Sequence, residues 1–402
     1  MLVSILGITG VLAARLQARA GSLRTDQREA SSYARSAVDL ARWMTQDSNW
    51  RTTRAPGTWV SRQPLGQGSF SLEVFNPNGP SFNGTDPVVV WGTGFRGQAR
   101  ARVQVTLDPK IAAYTALQVC ETAAGGLNLT ISNITNNQTL STNGAVTATA
   151  ATVTGDVEAG TTISGVYGTG LRKKLGKPRT LPDPTTAFDF YIQNGTDIPI
   201  SSIPLSGLNR QLQLRLLSPT SNPFGAPNAN GIYVIDCMGQ NLQIANCRVL
   251  GTLIVLNPGT NSALQNSDYF SPAVANYPVL MVKGDWTIKI NTTPLADNAN
   301  TNTTPPSVNY NPSGSPYAGA SPTTDSTYTT TYPSRLDGLV YVSGSLTTNS
   351  TLTLQGILVV GGTHTIQGAM NLTYDATSYT NPPPGFYPPP KMSVRNGSWR
   401  PG

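Results

Sequence analysis

Residues that could perform chemistry are few and scattered in this 402-residue sequence. Its single histidine, His364, stands between Thr363 and Thr365 in an alternating segment, so we expect a strand residue that faces the surface or a groove, not a general base. Asp156 and Glu158 alternate on one predicted strand. Such a pair could bind a cation or act on a sugar, but solvent-facing turn residues give the same pattern more often. We therefore expect no enzyme, no catalytic residue and no cofactor.

Three cysteines are present, at positions 120, 237 and 247. Cys237 and Cys247 are ten residues apart beside strand-like segments, and they are candidates for a disulfide if the protein is exported. An unpaired buried thiol fits the same spacing equally well. Zinc sites draw on several Cys and His ligands, so one histidine and no Cys-x-x-Cys predict that no metal is bound.

The composition is typical of a β-rich exported protein, with 12% charged residues, 39 Gly and 31 Pro. The formal net charge of +7 divides into +4 for residues 1–54 and +3 for the remainder. The clearest basic cluster is Arg172, Lys173, Lys174, Lys177 and Arg179, and it lies with Gly and Pro in a predicted solvated loop. Because basic residues are not concentrated on a predicted folded face, we expect no nucleic-acid partner.

Ten Asn-x-Ser/Thr sequences occur in a chain rich in Asn and Thr, where many arise by chance. If any of these sites is glycosylated, we expect it to lie on the outer surface of the protein. The candidate positions are Asn128, Asn133, Asn137, Asn194, Asn291, Asn302, Asn349 and Asn371.

The N-terminal segment, residues 1–46, is predicted to form one long helix, because its apolar residues recur with the period of one helix face. Small and aliphatic residues recur every three or four positions, and Gln27 alone interrupts them. The predicted assembly stripe consists of Ile5, Ile8, Leu12, Leu16, Ala20, Leu23, Ala30, Ala34, Ala37, Ala41 and Met44. The first fourteen residues carry no charge, fewer than the roughly 20 apolar residues of a spanning helix. A membrane, copies of the chain, or both are needed to cover this stripe, and we assign residues 1–54 to a membrane and assembly helix.

The next predicted domain, residues 55–110, is a small antiparallel sheet that packs on the helix. Residues 47–68 are predicted as a connector, and strands are predicted at 70–75, 88–91 and 98–107. In the last of these, Ala99, Ala101, Val103, Val105 and Leu107 alternate with polar residues, which is the pattern of a half-buried strand.

Residues 111–380 predict a parallel β-helix, a solenoid of short stacked strands. Very short alternating segments follow one another from residue 127 to 163, and similar segments begin at Val279, Leu339 and Leu358. The last two are about nineteen residues apart, and self-similarity near twenty residues is typical of a solenoid. Polar, turn-rich inserts are predicted at 171–230 and 292–335, and a Pro-rich surface tail at 381–402. The fold class is therefore α+β and mostly β.

The N-terminal segment resembles the first helix of PilX-like minor pilins and of type II secretion pseudopilins. The residues that carry this resemblance are Ile5-Leu6-Gly7-Ile8, Arg15, Arg19, Arg24, Asp26-Gln27-Arg28 and the segment from Tyr33 to Ala41. It covers about an eighth of the chain. Two features depart from the family: the processing-site glycine with its basic leader is not seen, and Ile5 stands where most major pilins have glutamate.

The resemblance implies insertion in the cytoplasmic membrane, peptidase processing, and assembly of copies through the helix into an extracellular pilus-like filament. The stripe by itself agrees, because repeated use of one such surface in a non-closing arrangement gives a fibre. We expect a structural subunit on the cell surface. Two alternatives remain: a membrane-anchored surface protein whose β-helix binds or cleaves polysaccharide, and a minor pseudopilin. Surface glycans are a further expected partner.

Overall fold

The structure is a computed structural model that describes residues 2–47, 49–82, 84–130, 133–297 and 308–402, with side chains from residue 11 onward. It confirms the predicted fold class, since a long N-terminal helix is followed by a small antiparallel sheet and a large, mostly parallel one. The chain forms two compact units. Unit 1 comprises Met1–Ala112 and Pro389–Gly402, and the solenoid unit comprises Ala113–Pro388.

Helix α1 of unit 1 is Leu2–Met44, two residues shorter at its C-terminal end than the prediction. Its 43 residues correspond to a length of about 65 Å at about 1.5 Å per residue. Arg42 lies in its last turn, where a positive charge is favourable beside the free carbonyl groups. A single further turn, α2, follows at Trp50–Thr53.

A six-stranded antiparallel sheet packs on the second half of α1. Its first four strands follow one another as β1 (Gly57–Leu65), β2 (Gly68–Phe75), β3 (Val88–Arg96) and β4 (Ala99–Lys110). Strand β1 occupies nine residues of the predicted connector at 47–68. It is largely exposed, so it lacks the apolar alternation that would have identified it. The predicted tail also differs, because Lys391–Val394 and Arg400–Pro401 pair with β4 as additional strands.

Alanines of α1 and glycines of β3 allow the backbones of the helix and the strand to approach closely. Ala30, Ala34, Ala37 and Ala41 have no exposed surface. On the strand, a Cβ at Gly94 would lie 2.0 Å from the carbonyl oxygen of Ala30, and the corresponding distance from Gly92 to Ala34 is 2.2 Å. The alanine stripe and these glycines therefore fix how deeply the helix seats on its sheet.

In the solenoid unit, each coil contributes a strand to three faces, named A, B and C, and strands of successive coils pair in parallel. Face A stacks Thr196–Asp197, Ile232–Asp236, Thr252–Leu256, Leu280–Lys283, residues 339–342, residues 357–360, Glu121–Ala123, Leu140–Thr142, Val157–Ala159 and Arg172–Lys174. Face B stacks Asn209–Gln213, Asn241–Ala245, Ala263–Asn266, Trp286–Ile290, Leu346–Thr348, His364–Ile366, Leu127–Leu129, residues 146–148 and residues 163–164. Face C stacks Leu216–Leu217, Arg248–Leu250, Tyr269–Ser271, residues 335–336, residues 352–355, Met370–Thr373, Asn133–Asn136, residues 151–153 and residues 166–167.

This stack is discontinuous in sequence. The chain enters it in the middle at Glu121–Ala123, runs to one end at Arg172–Lys174, and resumes at the other end at Thr196–Asp197. It then winds back until Leu352–Val360 pairs with Glu121–Ala123, the strand where the stack began. We call this contact the seam. The sequence repeat near twenty residues is confirmed, because the segments at 280, 339 and 357 are neighbours on face A.

The predicted insert at 171–230 is largely structured. It contains the edge strand Arg172–Lys174, helix α3 (Pro184–Asn194) and the strands of the first coil. Asp183 caps α3 by accepting hydrogen bonds from the amides of Thr185 and Thr186. Phe188 and Tyr191 of α3 pack on the outward side of face A, which is why that face carries apolar residues on both sides.

The predicted insert at 292–335 is a long loop, of which residues 298–307 lie outside the described part. Leu295–Ala296 pairs with Thr331–Tyr332. The buried guanidinium of Arg248 holds the loop by donating hydrogen bonds to the carbonyl oxygens of Tyr310, Ser315 and Pro316. The remaining short elements are Thr115–Gln118, Ile200–Ser202, the hairpin strand Leu205–Ser206 and α4 (Thr377–Thr380).

Replacing Gly94 with alanine tests the close approach of α1. We expect the free energy of unfolding of unit 1 to fall by about 1–3 kcal/mol, because the added methyl group forces the helix and strand apart. Urea unfolding followed by tryptophan fluorescence measures it, since Trp43, Trp50, Trp59, Trp91 and Trp399 are all in unit 1. Gly79, where a Cβ meets nothing within 4 Å, provides the matched Gly→Ala control. Equal stability of the two variants would contradict the role assigned to Gly94.

Candidate assembly surface

The N-terminal half of α1 presents an uncovered apolar stripe. Every residue from 11 to 25 is exposed. The exposed fractions are 56% for Val11, 52% for Leu12, 66% for Leu16 and 50% for Leu23. Leu12, Leu16 and Leu23 recur at spacings of three or four residues around Ala20, so these three share one side of the helix, whereas Val11 lies beside it. Contiguous apolar surface of this kind marks an interaction site in soluble proteins.

The predicted assembly residues therefore divide into two groups. Leu12, Leu16, Ala20 and Leu23 are exposed, and the backbone positions of Ile5 and Ile8 lie in the same helix, although their side chains lie outside the description. The other group packs on the chain's own sheet: Ala30, Ala34, Ala37 and Ala41 are buried, and Met44 is half-buried. Strands β2, β3 and β4 of the chain's own sheet cover this second group, so in the free chain only the first group offers exposed side chains.

Arginines accompany the exposed stripe, and free carboxylates do not. Arg15 and Arg19 are exposed, as are Arg24 and Arg28 one to two turns later. The first acidic residues of the helix, Asp26 and Glu29, both contact Arg96 of β3, with N–O distances of 3.6 and 2.7 Å. Arg15 and Arg19 stand three or four residues from Leu12, Leu16 and Leu23, so they border the stripe.

His364 lies in the interior of the solenoid, so the predicted surface or groove position is wrong. Its strand alternates as expected, but with the opposite phase: His364 occupies the inward column between Leu346 and Leu127. Its Nδ1 lies 2.5 Å from Oε1 of Glu121, and its Nε2 lies 2.8 Å from Oγ1 of Thr348. All three side chains have no exposed surface. A substrate in solvent could not reach this group, so its geometry fits a structural role at the seam.

Asp156 and Glu158 are each paired with the basic cluster that follows them. Lys173 lies 3.3 Å from Asp156, and Arg179 lies 2.8 Å from Glu158. The backbone amide of Leu171 and the nearby Lys173 lower the pKa of Asp156 below its ordinary value. Arg172 donates hydrogen bonds to carbonyl oxygens that include those of Val153, Tyr167 and Gly170. The predicted solvated loop is thus an edge strand and turn tied to the neighbouring coil.

The three cysteines are buried and unpaired. Cys237 follows a face A strand, whereas Cys247 precedes a face C strand and contacts the carbonyl oxygens of Leu212 and Ala245 through its Sγ. Burial raises the pKa of the Cys120 thiol to about 11 and that of Cys237 to about 12, so neither is a ready nucleophile. The predicted Cys237–Cys247 disulfide is not formed in this structure.

The candidate glycosylation positions that the structure describes are all exposed: Asn128, Asn133, Asn137, Asn194, Asn291, Asn349 and Asn371. Asn302 and Asn83 lie outside the described residues. Glycosylation itself stays a prediction.

Within the described ranges, no group of three or more His, Cys, Asp or Glu side chains is arranged to hold a metal ion. Across that same part of the chain, no helix is both long enough and apolar enough to cross a bilayer.

No known protein-family model matches the sequence, and no curated protein matches it. Two of the solved structures that this chain resembles are each 10% identical to it. One is the competence-associated pilin ComZ from Thermus thermophilus, with a TM-score of 0.35 over 94% of this chain and 98% of ComZ. The other is an ice-binding protein from the Antarctic ascomycete Antarctomyces psychrotrophicus, with a TM-score of 0.24 over 64% of this chain and 95% of that protein. Both TM-scores lie below 0.5, so the function has to be argued from this chain's own residues.

The buried contact between His364 and Glu121 at the seam predicts that mutations of the two residues have strongly non-additive effects on stability. Replacing His364 with leucine leaves Glu121 buried without its partner, and we expect the solenoid unit to lose about 3–5 kcal/mol of unfolding free energy at pH 7. Replacing both residues with leucine should restore stability to within about 1 kcal/mol of the wild type, because Leu358 and Leu140 flank Glu121 just as leucines flank His364. Urea unfolding followed by circular dichroism measures each variant. Equal losses in the single and double variants would contradict the assignment.

Proposed function

We propose that the chain is a structural subunit of an extracellular, pilus-like filament and that it enters the assembly through the N-terminal half of α1. The observation that carries this proposal is the continuity of one helix stripe. From Ala30 to Ala41 the stripe is buried on the chain's own sheet, and from Leu12 to Leu23 the same side of the helix is exposed. In an isolated particle this apolar extension would stay exposed to water, which is unfavourable.

The energetics favour burial of the extension in a neighbour. Removing one aliphatic side chain of this size from water stabilises an assembly by up to about 1.5–3 kcal/mol, and three leucine side chains share the exposed stripe. The stripe is also presented on a rigid element, because the helix is continuous with the half that the sheet holds. Association through it therefore costs little conformational entropy.

This function needs no catalytic chemistry, and we propose that the protein is not an enzyme. The burial of His364 and the pairing of Asp156 and Glu158 support this proposal. The insertion of the N-terminal end in the cytoplasmic membrane before assembly, and the distinction between a major and a minor subunit, stay predictions.

Charge insertion into the stripe tests the proposal. Replacing Leu16 and Leu23 together with aspartate should reduce incorporation into filaments at least about tenfold, because two carboxylates would be desolvated at the contact. Incorporation is measured by immunogold electron microscopy of filaments sheared from cells that produce the chain.

The matched control is Leu208→Asp, which places the same charge at a leucine of the solenoid unit that is 87% exposed. All variants should keep the wild-type circular dichroism spectrum, since Leu16 and Leu23 are exposed in the free chain. Filaments that contain the Leu16/Leu23 variant at the wild-type level, or wild-type protein found only as discrete particles, would overturn the proposal.

A second candidate function, binding of surface polysaccharide, is favoured by one feature of the solenoid. The outward positions of face B form a register-aligned polar column, interrupted by Ala263 alone: Gln211, Gln243, Ala263, Thr287, Thr347, Thr365, Asn128, Thr147 and Ser164. At the end nearer Gln211, a groove of about 350 Å³ is lined by Asn209, Asn241, Gln243, Thr287 and Lys289. Amide and hydroxyl groups repeated at a strand spacing of about 4.8 Å suit a hydroxyl-bearing polymer.

Affinity electrophoresis of the full chain through gels that contain neutral or acidic polysaccharides tests this candidate. We expect retardation that Asn241→Ala combined with Thr287→Ala reduces several-fold, because both side chains line the groove. Thr373→Ala, an exposed threonine of face C, is the matched control. Mobility unchanged by every polysaccharide would exclude the candidate, and release of sugar products would indicate cleavage instead of binding.

A further inference from the structure

We propose that the neighbour covering the exposed half of α1 is a helix of a different chain, one with an apolar stripe bordered by carboxylates, and not a second copy of this chain. This inference rests on the proposed function and names the partner of the same surface. It follows from two observations: arginines border the stripe, and the carboxylates of α1 are already paired with arginines of the same chain.

Two arginines border the stripe that a neighbour must cover. Arg15 follows Leu12 by three residues, and Arg19 follows Leu16 by three and precedes Leu23 by four. Residues at these spacings are surface neighbours on a helix. A helix that packs on the leucines would therefore desolvate both guanidinium groups at least in part. Neither has an acidic partner among the residues that the structure describes.

Desolvating an arginine is unfavourable unless a carboxylate or phosphate compensates it. Two copies packed stripe to stripe would instead bring Arg15 and Arg19 towards the arginines of their neighbour. Like charges in contact weaken such an interface. The whole of unit 1 adds to this repulsion: it has sixteen Lys and Arg against seven Asp and Glu, a net charge of +9, while the solenoid unit has a net charge of −2.

No segment of α1 offers both an apolar stripe and free carboxylates to another copy. The sequence has no Asp or Glu before Asp26. Asp26 and Glu29 are engaged by Arg96, and Asp39 lies 3.3 Å from Arg42. Around Asp39, moreover, the stripe residues Ala37 and Ala41 are already buried on the sheet. Consider a second copy shifted so that its Asp39 meets Arg15 or Arg19 of the first. The stripe of the second copy is already covered at that point, so the leucines of the first copy would have no apolar surface to pack on.

The complementary partner has a defined chemistry. It is an amphipathic helix whose aliphatic stripe packs on Leu12, Leu16 and Leu23, with Asp or Glu bordering that stripe at intervals of three or four residues. Each carboxylate can accept two parallel hydrogen bonds from one guanidinium, which adds geometric selectivity to the charge attraction. The chain would then be one component of a mixed filament.

Binding of three synthetic helices to the full chain tests the inference. The first is a 24-residue leucine-striped helix with glutamate at the bordering positions. The second has the same sequence with glutamine at those positions, and the third is residues 2–25 of this chain. Each carries a fluorophore, and anisotropy is measured in zwitterionic detergent micelles at low and at high salt.

We expect the glutamate helix to bind about tenfold more tightly than the other two at low salt, with the difference shrinking as salt screens the exposed pairs. Replacing Arg15 and Arg19 with glutamine should abolish the difference. Replacing Arg28 and Arg35 with glutamine is the matched control, because these exposed arginines carry the same charge but lie at least about 100° around the same helix from Leu16 and Leu23.

Other results overturn the inference in distinguishable ways. If residues 2–25 bind as tightly as the glutamate helix, copies suffice, and the filament proposal stands without a different partner. If the Arg28/Arg35 variant loses as much affinity as the Arg15/Arg19 variant, the attraction is unspecific. If no helix binds and the Leu16/Leu23 variant still enters filaments, the proposed function fails as well.

Discussion

The close contact between small residues of α1 and the glycines of β3 is the constraint on which unit 1 depends. Ala30 and Ala34 place helix backbone where Gly94 and Gly92 leave no side chain, so the helix lies directly on the sheet. This contact holds the second half of α1 and thereby presents its first half as a rigid extension. The extension is exposed because the sheet ends, and its sequence continues the same stripe with larger side chains.

The change from alanine to leucine along this stripe has a physical meaning. Alanine suits a helix that must approach a sheet closely and permanently, since there is no space for a longer side chain. Leucine supplies more apolar area for contacts that form after folding. Under the proposed function, the buried half of the stripe serves folding and the exposed half serves association. A pattern that records only apolar spacing does not distinguish the two halves.

In the solenoid unit, the equivalent constraint is the seam. Strands from positions near 121 and near 358 must pair for the stack to be continuous, although more than two hundred residues separate them in sequence. The buried contact between His364 and Glu121 joins the two sides of that pairing. We expect this buried polar pair to favour one register, because a slipped strand would leave both groups unpaired.

The sequence by itself determined the helix, the mostly β fold class and the repeat of about twenty residues, because periods of 3.6 and 2 residues and self-similarity are local properties. It also located the aliphatic stripe and its arginines. Only the tertiary structure decided which half of the stripe is free, since that depends on where a sheet built from both ends of the chain lies. The same reason explains the inward phase of His364 and the net charge of +9 on unit 1. Each results from contacts between residues distant in sequence, and no pattern along the chain encodes which distant segments will meet.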